Sequence, residues 1–86
     1  MLLLDGQNML TRESAHDELA RVLSLPDYYG RNLDALWDCV STMQAEVTLV
    51  NASAMRDSLG DYADALISTL DDASMENPIF SFICSE

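Results

Sequence analysis

Lysine is absent from this 86-residue chain, and its basic complement is four arginines against fifteen Asp and Glu, a formal charge of −11. Nucleic-acid binding rests on Lys and Arg neutralising phosphates, so this balance makes nucleic acid a poor partner and disfavours anionic membranes for the same reason, and neither is expected. Glycine and proline are scarce, three and two residues, and half the chain is hydrophobic (49%). That composition excludes a disordered acidic tail and puts the charge on a folded surface. No long apolar run is present. Residues 1–4 are apolar, but Asp5 and Gly6 follow at once, far short of a signal peptide's core or a membrane span, so a cytoplasmic location is expected. The two cysteines, Cys39 and Cys84, lie in apolar patterns without CxxC spacing or a nearby His, which points to buried free thiols. No Asp-x-Asp-x-Asn-Gly loop of the calcium type occurs, and no metal or other cofactor is expected.

What is present fits one folded unit. A chain of this length buries roughly 60–65% of its unfolded surface, enough for one core, so residues 1–86 are expected to form a single domain. The opening LLLD reads as a continuous apolar strand of the kind covered on both faces, and DGQN as a turn. Residues 11–23 fit a helix: Ala15, Leu19, Val22 and Leu23 point inward, while Arg12, Glu13, Asp17, Glu18 and Arg21 face water. Thr11 or Ser14 serves as its cap. Pro26 stops it, because the residue before a proline is pushed out of the helical region. DYYGR is then a loop in which Gly30 is free to take a positive φ. Asn32 is a preferred cap type, and Leu33, Leu36, Trp37 and Val40 recur at helical spacing behind it.

EVTLVN, residues 46–51, has the β-branched content of a strand. Gly60 divides the following helical stretch into residues 53–59 and 61–74, the latter with an inner stripe of Tyr62, Ala63, Leu66, Ile67, Leu70 and Ala73. Pro78 opens a last strand, PIFSFIC. The order β, α, α, β, α, α, β requires a parallel sheet with crossover helices over it. The predicted fold class is α/β, a small two-layer domain with a three-stranded parallel sheet and about four helices.

Asp34 and Asp38 stand four residues apart on the second helix, so both carboxylates leave one face, beside the stripe carrying Leu33 and Trp37. The helix dipole favours Asp34 in the first turn. Asp38 gains less, and a like-charged pair at this spacing costs a helix roughly 0.2–0.5 kcal/mol. Stability alone gives no reason for Asp38. Paired carboxylates serve as general acid and base only around a cleft that holds substrate, and neighbouring turns of one helix are convex. A convex acidic face with aromatics suits a basic protein partner instead. Tyr28, Tyr29, Gly30, Asp34 and Asp38 are the expected exposed patch.

The block LPDYYGRNLDALWDC closely resembles the signature of the barstar family, intracellular inhibitors of a secreted bacterial ribonuclease. The likeness covers the leucine-proline turn, the paired tyrosines, Gly30, Asn32, both aspartates and Cys39. Beyond the block it weakens to element order and length. The resemblance implies a three-stranded parallel sheet and a non-enzymatic inhibitor that plugs the active site of a basic ribonuclease or nuclease toxin, one to one. Asp38 is then the principal phosphate mimic and Asp34 its helper; Tyr28 and Asn32 are loop contacts, Leu33 is a further partner-binding residue, Trp37 is part of the packed centre, and Asp72 is a further acidic contact. The alternative is an acidic regulatory or immunity module of the same fold bound to a different basic protein. Arg31 replaces an acidic family residue and is expected to repel a cationic target unless it pairs with Asp27 or Asp34. Met43 is the nearest substitute for a second family tryptophan. His16 and Cys39 match family positions and read as an exposed helix residue and a buried thiol.

Overall fold

The computed structural model describes residues 1–85; Glu86, the last residue of the predicted domain, lies outside the described residues. Three parallel strands stand side by side in chain order: β1 (Leu2–Asp5), β2 (Ala45–Val50) and β3 (Phe80–Cys84). A short 3-10 turn (Gly6–Asn8), α1 (Arg12–Leu23) and α2 (Leu33–Val40) link β1 to β2, and α3 (Ala52–Leu59) and α4 (Asp61–Glu76) link β2 to β3. The predicted order and sheet are those observed, because parallel neighbours cannot be joined by hairpins.

Among the described residues only one face of the sheet is covered, which corrects the expectation for LLLD. The register aligns Leu2 with Val47 and Phe82, and Leu4 with Leu49 and Cys84. Side chains alternate across a strand, so this row points into the helices while the other row does not. Leu4, Val47, Leu49, Phe80 and Phe82 are buried, whereas Leu3 and Ile83 remain 51% and 63% exposed. The core fills the space between that inner row and Leu19 of α1, Leu36 and Val40 of α2, Met55 of α3, and Leu66 and Leu70 of α4. The predicted α4 stripe is buried throughout except for Tyr62, which is half-buried.

Local chemistry sets the helix ends. Thr11 Oγ1 accepts from the Ser14 amide and Ser14 Oγ accepts from the Thr11 amide, both at 3.0 Å, so the two residues cap α1 jointly. At Gly60 the chain takes φ +57° and ψ −127°, a conformation no other residue type adopts cheaply, and α3 and α4 separate there. Glu18, expected to face water, is buried: its Oε2 accepts from the Asp5 amide of β1 at 3.1 Å and its Oε1 pairs with Arg21 at 2.6 Å. A buried carboxylate is tolerated because both oxygens are occupied.

Candidate functional site

The loop between α1 and α2 is held from below. Tyr29, expected on the exposed patch, turns inward and is buried, and so is His16, expected on an exposed helix face. His16 Nδ1 lies 2.6 Å from the Tyr29 hydroxyl and Nε2 lies 2.7 Å from the Tyr62 hydroxyl. A neutral imidazole has one donor and one acceptor nitrogen, and each phenol fills either role, so all four polar groups are satisfied. One histidine thereby joins α1, the loop and α4. Burial lowers the His16 pKa, with the Arg31 charge acting the same way and Asp17 opposing. Burial likewise pushes the Tyr29 phenol well above its usual range, with smaller contributions from Cys39 and Tyr62.

Arg31 is fastened by a different route from the one expected. It pairs with neither Asp27 nor Asp34; its Nη2 donates to Asp17 Oδ1 at 2.7 Å and to the Glu13 carbonyl at 3.0 Å, both on α1. Its backbone takes the left-handed conformation, φ 56°, whereas Gly30 does not have a positive φ. Space around Gly30 is tight instead: a Cβ there would sit 3.1 Å from the Ala35 Cβ and 3.3 Å from Asn32 Nδ2, so a side chain would push on both. Asn32 performs the predicted cap, its Oδ1 accepting from the Ala35 amide at 2.7 Å while Nδ2 donates to the Gly30 carbonyl at 3.1 Å.

These constraints leave a defined surface. Tyr28 is 88% exposed, and Asp34 and Asp38 both face solvent from α2. Tyr28, Tyr29, Gly30 and Asp38 line one small concavity of about 200 Å³ with Pro26, Ala35 and Cys39. Leu33 and Trp37 are half-buried and pack against the core. Asp72 is exposed on α4 in a separate groove with Ser68, Asp71, Ser74 and Met75. Cys39 and Cys84 are half-buried rather than buried, and burial, helped by the Asp38 charge, raises the Cys39 pKa. That is the opposite of an activated thiol.

The far end of α2 is held by Asn77, which sequence reasoning passed over. Its Nδ2 donates to the carbonyls of Val40 at 3.1 Å and Met43 at 2.8 Å, and its Oδ1 accepts from the Ile79 amide at 3.1 Å. An asparagine before a proline reads only as a helix stop, so no signal pointed to it. His16 did carry one. It lies three residues before Leu19 and seven before Leu23, in line with the buried stripe of α1.

Fold and surface together define a small two-layer α/β protein that presents Asp34 and Asp38 of α2 and exposed Tyr28 of the loop before it to solvent. A sequence profile of the family described as Barstar (barnase inhibitor) matches residues 1–84. A curated relative from Bacillus subtilis (strain 168), named "Putative ribonuclease inhibitor YrdF", is 38% identical over 78 residues, covering 87% of this chain and 86% of the relative. The chain belongs to the barstar family.

Proposed function

We propose that the protein is a cytoplasmic, non-enzymatic inhibitor that binds a basic ribonuclease one to one and occludes its active site with α2 and the loop before it. Family membership and the inhibitor name of the Bacillus relative support a ribonuclease inhibitor. The observation that carries the mechanism is the arrangement of Asp38 of α2 with exposed Tyr28 around one concavity, the loop that bears Tyr28 being anchored from beneath by the His16–Tyr29 bond. A ribonuclease must be cationic where it holds phosphates, so exposed carboxylates on a pre-organised surface enter that site with little ordering cost. Asp38 occupies the place of an RNA phosphate, Asp34 assists nearer the rim, and Tyr28, Gly30 and Asn32 complete the loop contact. The net charge of −11 steers encounter with such a target.

Affinity capture with this protein as bait, followed by a ribonuclease assay on the captured protein, tests the function. Capture of a basic protein without ribonuclease activity would favour the regulatory-module alternative. The mechanism is tested by titrating the captured enzyme with Asp38→Ala and Asp34→Ala. Truncating one partner of a desolvated charge pair costs about 2–5 kcal/mol, so Asp38→Ala should bind roughly 30-fold to several thousand-fold more weakly, and Asp34→Ala less so. Urea stability of Asp38→Ala should match or slightly exceed the parent, because like-charge repulsion is relieved and alanine is the better helix former. Parental affinity in Asp38→Ala would end the phosphate-mimic mechanism.

A further inference from the structure

Resting on that inhibitor reading, we infer that the cleft between α1 and the start of α2 is a second recognition point, which takes a carboxylate side chain of the partner between Arg12 and Arg31. The partner is then a ribonuclease that carries an acidic residue beside its cationic centre.

Three of the four arginines have carboxylate partners: Arg21 with Glu18 at 2.6 Å, Arg31 with Asp17 at 2.7 Å and Arg56 with Asp64 at 3.5 Å. Arg12 has no carboxylate partner among the described residues, although the chain carries fifteen Asp and Glu. Its guanidinium instead lies 4.2 Å from the centroid of the Tyr62 ring. A cation over a ring face makes no use of its N–H donors, which stay available to another group. The platform is itself immobilised, since the Tyr62 hydroxyl is bonded to buried His16 at 2.7 Å.

Arg12 and Arg31 line one open cleft of about 490 Å³, with Tyr62, Asn32 and Leu33 on its walls. Asn32 and Leu33 open α2, so the cleft is continuous with the surface proposed to meet the ribonuclease. Glu13 also lines the cleft and Asp17 holds Arg31, so the local balance is near neutral in a strongly acidic molecule. A small anion with nothing else to hold it faces the repulsion of the whole chain. A carboxylate carried on a cationic protein arrives with compensating charge and meets a forked donor already in place. The departure at Arg31 thus becomes a selective element: it admits targets with an acid at this position and disfavours those with a base there.

The test is calorimetric titration of the ribonuclease captured by this protein with Arg12→Ala and Arg12→Glu variants. Arg12→Ala should bind about 10-fold or more weakly, the loss expected for hydrogen bonds to a charged group, and Arg12→Glu more weakly still. One Asp or Glu→Arg substitution in the ribonuclease should restore affinity for Arg12→Glu. Arg12→Ala binding within about 2-fold of the parent, or no restoring position in the enzyme, would overturn the proposal while leaving the inhibitor function standing. Capturing no ribonuclease would overturn both. Titration with inorganic phosphate separates the other source of an oxyanion: a phosphate response abolished by Arg12→Ala, with ribonuclease affinity unchanged, refutes the partner carboxylate. Urea unfolding should show the parental midpoint for Arg12→Ala; if it drops, Arg12→Gln keeps the stem over Tyr62 while removing the charge.

Discussion

Replacing His16 with alanine is the sharpest test of how the binding loop is held. His16 is 2% exposed and bonds two phenols on two other elements. Removing the ring leaves the buried Tyr29 hydroxyl without its partner, a loss of about 1–3 kcal/mol. Half-buried Tyr62 can turn its hydroxyl to water and loses about 0.5–1 kcal/mol. The vacated volume adds on the order of 1 kcal/mol, and the better helix propensity of alanine returns about 0.5 kcal/mol. The expected net cost is about 2–4.5 kcal/mol, which for a domain of this size lowers the Tm by roughly 8–36 °C. Urea unfolding followed by circular dichroism measures it, with the slope unchanged if the unfolded state is unaltered. Tyr29→Phe alone should cost about 1–2 kcal/mol, and the double variant less than the sum, because both remove the same bond. Amide exchange in residues 27–31 should accelerate in His16→Ala beyond the global loss of stability. Strict additivity of the two substitutions, or a cost below about 0.5 kcal/mol for His16→Ala, would refute the tether.

The same residue sets a pH dependence. Its folded pKa lies below the unfolded value of about 6.5 through burial and the Arg31 charge. The unfolded chain therefore binds the proton first, and the contribution is complete above about pH 6.5 and lost as pH falls toward the folded value, by at most about 1.4 kcal/mol per pH unit. A His16→Gln variant should lose this slope between pH 7.5 and 5.5 in urea midpoints; an unchanged slope contradicts the assignment. At Arg31, relief of the left-handed backbone should offset much of the lost Asp17 pair in Arg31→Gly, while Arg31→Ala keeps the strain, so alanine should be the less stable by about 1 kcal/mol; equal midpoints would remove strain from the account. Asn77→Ala should cost about 2–3 kcal/mol by stripping the Val40 and Met43 carbonyls of their donor, and a loss under about 0.5 kcal/mol would show that water replaces it.

The sequence by itself determined the elements and their order. Thr11, Asn32 and Gly60 act through neighbours three or four residues away, and the apolar repeats at Leu19, Val40 and Leu66 follow from helical period alone, so local chemistry suffices to read them. It also determined the exposed acidic pair, because Asp34 and Asp38 lie off the α2 stripe at one helical repeat. The tertiary structure alone decided which tyrosine faces the solvent. Tyr28 and Tyr29 are adjacent and chemically identical, and what separates them is a histidine thirteen residues away in the chain, brought beneath the loop by the packing of α1 against it. It decided likewise that Arg31 pairs with Asp17 across two elements, that Asn77 holds the end of α2 from α4, and that LLLD has one dry face, since pairing and burial depend on what the other elements bring near and no local pattern encodes those neighbours.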